Sequence, residues 1–156
     1  MPVPFQTLWR NHPRNQSPRQ EAPCRDASGS RAFENQCAIR MSVCLTRSGV
    51  KLPAFRGARC WHGHGDRHIL RAEQMATWLR DSRIFGDPHV ARAGSGVALS
   101  ASSYASRTGI IFFRNFWGPG NQGDHIDLWR FSRMSGNEFR ASYFQQSQEI
   151  WFWRVL

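Results

Sequence analysis

The stretch that decides the fold reads Gln36-Cys37-Ala38-Ile39-Arg40-Met41-Ser42-Val43-Cys44-Leu45-Thr46-Arg47. Its core-facing side chains recur at i, i+4, i+7 and i+8 from Cys37, which is the spacing of one helical stripe and predicts a helix over residues 36–47. Asn35 is a suitable N-cap and Gly49 a suitable terminator. Cys37 is therefore expected in the first turn of an amphipathic helix.

Cys37 is the best candidate for a nucleophile. A cysteine attacks as its thiolate, and the positive end of a helix dipole favours that anion. Backbone N–H groups of the same turn can also bind a developing oxyanion. The alternative is a small core residue that opens an apolar face. For Cys44, in the middle of that face, packing is the expected role.

The sequence on either side of this helix predicts two more helices with irregular segments between them. Residues 5–11 predict a short helix that Pro13 ends, and residues 70–81 predict a longer one. Residues 13–32 are rich in Pro, Arg, Ser and Gln, which is typical of an irregular or flexible loop. Residues 85–106 are broken by Gly and Pro and predict a second irregular segment.

The last third of the chain changes to strand-forming sequence. Residues 109–113, 125–129 and 149–155 are short, apolar or alternating, and rich in Ile, Phe and Trp. Helices that precede strands in this way favour the α+β class with an antiparallel sheet. A length of 156 residues fits one domain, so residues 1–156 are expected to form a single unit.

His125 is the best candidate for the base that a nucleophilic cysteine needs. It follows a turn-prone segment, residues 118–124, and begins a predicted strand that can hold an imidazole rigidly. A third residue should orient that imidazole. Asp127 shares the strand face of His125, but its side chain emerges about 7 Å further along. Asn137, beyond the next turn, is therefore preferred, with Asp127 as the alternative.

The other cysteines and histidines suggest a different chemistry. The sequence Cys60-x-His62-x-His64-x-x-x-His68 carries side chains that bind zinc, so a zinc-dependent hydrolase using His62, His64 and His68 is one alternative function. Glycine spacers argue against a rigid site, and the cysteines form no CxxC pair. We therefore expect no metal and no cofactor. A disulfide between Cys24 and Cys60 stays open.

The charge of the chain suggests the other alternative. The formal net charge is +10, and Lys51 is the only lysine among the cationic residues. Such a chain attracts polyanions, so a basic nucleic-acid-binding protein is a second possible function. The sequence lacks RNP, helix-turn-helix and zinc-finger patterns, so nucleic acid is not the expected partner.

Targeting signals are also missing from the sequence. No apolar run reaches the roughly 20 residues that cross a bilayer. The N-terminal residues lack the apolar stretch of a secretory signal, so synthesis in the cytoplasm without a signal peptide is expected.

Several motifs together resemble a known family. The segments Phe33-Glu34-Asn35-Gln36-Cys37-Ala38-Ile39-Arg40-Met41-Ser42 and Gly123-Asp124-His125-Ile126-Asp127-Leu128-Trp129 are similar to the nucleophile and base motifs of the type VI secretion amidase effectors, family 4. Further similarity lies in Trp61-His62-Gly63-His64-Gly65, in residues 68–73 and 78–79, and in residues 109–113. These blocks occur in the family's order across most of the chain.

The resemblance implies a papain-like fold of the NlpC type, with Cys37 as nucleophile and His125 as base. It also implies hydrolysis of the γ-D-glutamyl–meso-diaminopimelate amide of peptidoglycan stem peptides. Effectors of this family are delivered by type VI secretion into the periplasm of target bacteria, and a cognate immunity protein protects the producer.

One position departs from the family pattern. The resemblance implies an Asp about a dozen residues after the His as the third catalytic residue. Here that region reads Ser135-Gly136-Asn137-Glu138, without an Asp. Asn137 is then the residue expected to orient His125. The resemblance implies no role for the Arg-rich stretch of residues 14–31.

Overall fold

The computed structural model describes residues 3–52, 54–62, 68–94, 99–115 and 123–156. His64 and all but the end of the predicted turn at 118–124 lie outside these residues. Within them, none of the helices has the length and apolar character needed to span a membrane.

The chain forms four α-helices and one sheet among the described residues. The helices are α1 (Phe5–Asn11), α2 (Cys37–Arg47), α3 (Ala72–Ser82) and α4 (Ala141–Gln146). The strands are β1 (His89–Arg92), β2 (Thr108–Arg114), β3 (His125–Arg130), β4 (Arg133–Met134) and β5 (Glu149–Arg154). The sheet has the order β1-β5-β2-β3-β4, and every pairing is antiparallel. The prediction of an α+β protein with an antiparallel sheet is confirmed.

Both faces of the sheet are covered, which explains why β2 and β3 are almost entirely buried. One face packs on α1, α2 and α3 through alternate residues of the central strands: Ile110, Phe112, Ile126, Leu128, Trp151 and Trp153. The opposite face packs on Tyr104 and on α4 through Phe144. A strand with two covered faces needs apolar side chains at nearly every position, as residues 110–113 have.

Most predicted elements occur close to their expected places. Helix α1 has the expected bounds, α3 begins at Ala72, two residues later than predicted, and the three predicted strands are β2, β3 and β5. Three elements were missed: β1 lies within the segment expected to be irregular, and β4 and α4 lie between the last two predicted strands. All three are short, with four, two and six residues.

The segment 13–32 contains little regular structure, but it is anchored to the rest of the chain. It holds a 3-10 turn at Pro13–Asn15 and an isolated bridge between Arg25 and Arg31. The buried Arg14 forms two contacts to Glu138, of 2.6 and 2.9 Å. These contacts fix the start of the segment beside the turn that follows β4.

Candidate active site

Cys37 is the first residue of α2 and is buried. Its backbone N–H donates to the Asn35 Oδ1 at 3.1 Å. The N-cap residue is Gln36 rather than the predicted Asn35. The Gln36 side chain makes no cap bond, because its amide bonds the backbone of Cys24. Asn35 still supplies the side-chain oxygen that a capped helix start needs.

His125 opens β3 beside Cys37, and its imidazole lowers the pKa of the thiol against the effect of burial. Its ring stacks on Tyr143 of α4, with centroids 4.8 Å apart and planes inclined by 25°. Phe113, its partner on β2, lies on the same side with a centroid distance of 6.2 Å. The imidazole is therefore held by aromatic packing as well as by the strand.

Asp127, not Asn137, makes the orienting contact with His125. The Asp127 Oδ2 lies 3.0 Å from the His125 Nε2, which leaves Nδ1 for the thiol. Asn137 lies in the turn Ser135–Asn137 with a positive φ of 59° and is exposed. The preference for Asn137 over Asp127 is corrected on this geometry: side chains at i and i+2 share a strand face, and the imidazole is long enough to close the gap between them.

Asp127 is held in turn by three groups around its other oxygen. The Leu128 N–H donates to Oδ1 at 2.8 Å, and the Ser135 hydroxyl donates to the same atom. The Nε2 of His12 lies 3.7 Å from Oδ1. Burial lowers the pKa of His12 to about 4, more than Asp127 raises it, so His12 is a neutral neighbour at physiological pH.

The electrostatics favour an ion pair between Cys37 and His125. Burial raises the pKa of Cys37, but the hydrogen bond and charge of His125 outweigh it, helped by the Ile126 N–H, and the net pKa is lowered. Burial lowers the pKa of His125, but hydrogen bonds to Asp127 and Cys37 raise it to about 9. Burial likewise opposes ionisation of Asp127, yet its contacts with His125 hold the pKa well below the usual range.

Cys44, one of the other cysteines, shows what burial does without such partners. It lies two turns along α2, is fully buried, and donates to the Leu8 carbonyl at 3.2 Å. Burial raises the pKa of its thiol far above neutrality. This agrees with the packing role predicted for Cys44.

A groove of about 1170 Å³ lies near Cys37 and His125 in the fold, although neither residue lines it. Its lining includes Asn35, two residues before Cys37, and Asp124, which directly precedes His125. Three arginines and three acids also line it: Arg56, Arg71, Arg114, Glu73, Asp81 and Asp124. The groove therefore offers both signs of charge to an extended ligand.

Of the histidines behind the zinc-hydrolase alternative, the structure describes His62 and His68 and does not place them in one metal-binding group. In the described residues the group able to hold a metal consists of Cys24, Cys60 and His68, without His62. All three are buried, whereas a catalytic zinc keeps a position open to its substrate. His62 instead stacks on Trp61, with centroids 5.5 Å apart.

Sequence reasoning missed three residues that support this site: His12, Ser135 and Tyr143. No local motif marks them, because each reaches the site from a different element. One signal was available for Asp127: a carboxylate at the centre of an otherwise apolar, buried strand must have polar partners.

A thiol at a helix start, an imidazole at a strand start and a carboxylate behind the imidazole form the arrangement that cysteine hydrolases use for acyl transfer. The family model described as type VI secretion system (T6SS), amidase effector protein 4 (Tae4) matches residues 33–153. The chain belongs to this family of type VI secretion amidase effectors.

Solved structures of the family share the fold. The type VI effector Tae4 from Enterobacter cloacae is 19% identical, with a TM-score of 0.72 over 100% of this chain and 98% of that chain. Tae4 from Salmonella typhimurium, in complex with the immunity protein Tai4 from Enterobacter cloacae, is 23% identical, with a TM-score of 0.60 over 80% and 77% of the two chains. A comparison with curated protein sequences finds no match.

Proposed function

We propose that residues 1–156 form one papain-like amidase domain that hydrolyses the γ-D-glutamyl–meso-diaminopimelate amide of peptidoglycan stem peptides. The observation that carries the proposal is the grouping of Cys37, His125 and Asp127, in which the His125 Nε2 lies 3.0 Å from the Asp127 Oδ2. Membership of the amidase effector family supports the reaction class.

The reaction begins from the thiolate–imidazolium pair. The Cys37 Sγ attacks the γ-carbonyl carbon of D-glutamate, and the π electrons of that carbonyl move onto its oxygen. The tetrahedral intermediate collapses as its C–N bond breaks, and the His125 imidazolium gives its proton to the departing amine of diaminopimelate. A thioester to Cys37 and a neutral His125 remain.

Hydrolysis of the thioester restores the enzyme. His125, now neutral, removes a proton from a water molecule that attacks the thioester carbon. The C–S bond breaks, the product leaves with a free γ-carboxylate, and Cys37 and His125 return to the ion pair. Asp127 stabilises the imidazolium throughout and fixes Nδ1 toward the sulfur.

Asn35 and the first turn of α2 are placed to stabilise the oxyanion. The intrahelical ladder begins with the bond from the Arg40 N–H to the Gln36 carbonyl, so the preceding N–H groups have no partner within the helix. The Cys37 N–H is engaged by the Asn35 Oδ1. We assign the oxyanion contact to the Asn35 Nδ2 and the Ala38 N–H.

The groove charges fit the substrate. Stem peptides carry free carboxylates together with the amino group of diaminopimelate. Arg56 and Arg71 are exposed on the groove lining and can pair with those carboxylates. The acidic side chains of the same lining, such as Asp81, can accept the ammonium group.

The proposed route of delivery and the proposed immunity partner are those of the amidase effector family. The effector reaches the periplasm of a target bacterium through type VI secretion, where it meets its substrate. The solved relatives include complexes of Tae4 with the immunity protein Tai4. A cognate immunity protein that protects the producer is therefore the expected protein partner of this chain.

The test is release of soluble fragments from purified sacculi. Wild-type protein should release them, and Cys37→Ala should fall to background because the nucleophile is gone. Cys44→Ala is the matched control, since it removes another buried thiol of the same helix outside the site, and it should stay active. Equal release by wild type and Cys37→Ala would overturn the proposal.

A further inference from the structure

Away from the active site, Cys24, Cys60 and His68 converge in one buried cluster. One ligand atom from each lies within 4.8 Å of the others, and the two Sγ atoms are 3.4 Å apart. The surroundings are apolar, with Ile39 of α2 fully buried against the cysteines. Two thiols and an imidazole that meet in an apolar pocket form a set of donors that soft divalent metals prefer.

Backbone pairing holds the three residues in place. Cys60 and His68 face each other at the base of one loop, where the Cys60 N–H donates to the His68 carbonyl at 2.8 Å and a bridge joins Arg59 to Ile69. Cys24 lies at the base of a second loop, where its carbonyl accepts from the Ala32 N–H at 3.2 Å. The two loop bases meet at the cluster, so the ligands are positioned by structure on both sides.

We propose that Cys24, Cys60 and His68 form a structural zinc site. Two cysteine thiolates balance the charge of Zn²⁺, so the loaded site is neutral and can be buried without a further counter-ion. With Zn–S bonds of about 2.3 Å, two sulfurs on a tetrahedral ion stand about 3.8 Å apart. The observed 3.4 Å is close to that separation and well beyond the roughly 2.05 Å of a disulfide bond.

Hydrogen bonds to the ligand residues support this assignment. The backbone N–H of His62 points at the Cys60 Sγ from 3.4 Å, a contact that stabilises a thiolate. The Gln36 side chain clamps Cys24, accepting from its N–H at 3.2 Å and donating to its carbonyl at 3.0 Å. Such outer contacts orient the ligands of metal sites. A tetrahedral zinc ion would need a fourth ligand, such as a water molecule, beside these three.

The site has a structural consequence for the nucleophile. Gln36, which holds Cys24, is the N-cap of α2 and directly precedes Cys37. A metal on Cys24, Cys60 and His68 would therefore fasten both loops to the start of the nucleophile helix. It takes no part in the reaction, because none of its ligands belongs to the Cys37, His125 and Asp127 group.

The experiment measures zinc in full-length protein purified under reducing conditions from zinc-supplemented cells. We expect about one zinc per chain by elemental analysis in wild type and in Cys37→Ala, which rules out binding by the active-site thiol. Cys24→Ser, Cys60→Ser and His68→Ala should each lose at least ten-fold in zinc affinity. The matched controls are Cys44→Ala, which removes a cysteine outside the cluster, and His89→Ala, which removes an exposed histidine. Both variants should keep the metal.

Two measurements on unaltered protein keep the test decisive where a variant fails to fold. Cobalt-substituted wild type should show thiolate-to-cobalt charge-transfer bands. Zinc at a hundred-fold excess over its Kd should raise the melting temperature of apoprotein by about 5 °C or more. Absence of bound metal and of cobalt–thiolate bands would overturn the proposal. So would retention of zinc by folded Cys24→Ser, or an intact mass showing a Cys24–Cys60 disulfide under the same reducing conditions.

Discussion

The Nε2 of His125 lies 3.0 Å from the Oδ2 of Asp127, two residues further along the same strand. The carboxylate that contacts the imidazole therefore comes from β3 itself. The family pattern places an Asp about a dozen residues after the His, where this chain has Asn137. Asp127 is supported by the Ser135 hydroxyl and by the Leu128 N–H, so its carboxylate is fixed from both sides.

Asp127→Asn should lower kcat about 10²–10⁴-fold, because an amide neither stabilises the imidazolium nor enforces its tautomer. Asn137→Ala is the matched control and should keep nearly full activity, since Asn137 is exposed in the turn after β4. The measurement is kcat on a stem-peptide substrate. A large loss in Asn137→Ala with little loss in Asp127→Asn would restore Asn137 as the third residue.

The pH profile of kcat/KM should report the Cys37–His125 pair. The reactive form needs the Cys37 thiol ionised and His125 protonated. Activity should therefore rise with pH through the lowered pKa of Cys37 and fall as pH passes through about 9, where His125 loses its proton. The two groups titrate as a coupled pair. In Asp127→Asn the alkaline limb should move to lower pH, because the hydrogen bond that raises the His125 pKa is weakened. An alkaline limb unmoved by that substitution would contradict the assignment.

Asn35→Ala should lower kcat about 10²–10³-fold with little change in KM, as expected for loss of an oxyanion donor. If Asn35 only caps α2, thermal stability will fall in Asn35→Ala while kcat stays near wild type. A large loss of kcat in folded Asn35→Ala supports the oxyanion role.

Arg14→Ala should destabilise the fold by about 1–3 kcal/mol, because it removes a buried cation and leaves the half-buried Glu138 without its partner. Arg14 is 8% exposed and reaches Glu138 at 2.6 Å. Arg19→Ala is the control: Arg19 bonds the Gly136 carbonyl from an exposed position and should cost less than about 1 kcal/mol. Urea unfolding measures both, and equal costs would contradict an anchoring role for Arg14.

Charge reversal in the groove should weaken substrate binding. Arg56→Glu or Arg71→Glu should raise KM roughly ten-fold with a smaller effect on kcat, because each replaces a cation facing substrate carboxylates by an anion. Arg107→Glu changes the net charge equally at an exposed position outside the groove lining. If Arg107→Glu raises KM as much, the effect is one of net charge and the groove assignment is wrong.

The elements that position the nucleophile and the base could be predicted from the sequence because their signals are local. The helical spacing of apolar residues in α2 and the continuous apolar residues of β2 can both be recognised without knowledge of the rest of the chain. By contrast, β1 has four residues at the sheet edge, and α4 has six residues. Elements so short gain their stability from packing on the sheet, which the local sequence does not reveal.

The third residue and the supporting groups could not be predicted for a related reason. The spacing of strand side chains argued against Asp127, but the reach of the His125 ring along the strand closes that distance. His12 and Tyr143 arrive from opposite ends of the chain. Their contacts with Asp127 and His125 depend on tertiary packing alone.

The most direct test of the central claim is mass spectrometry of the products that the protein releases from purified sacculi. The account predicts that wild type yields muropeptides ending in a free γ-carboxyl on D-glutamate, together with fragments that begin with a free amine on diaminopimelate. Cys37→Ala should yield neither. Cleavage at any other bond, or the same products from Cys37→Ala, would contradict it.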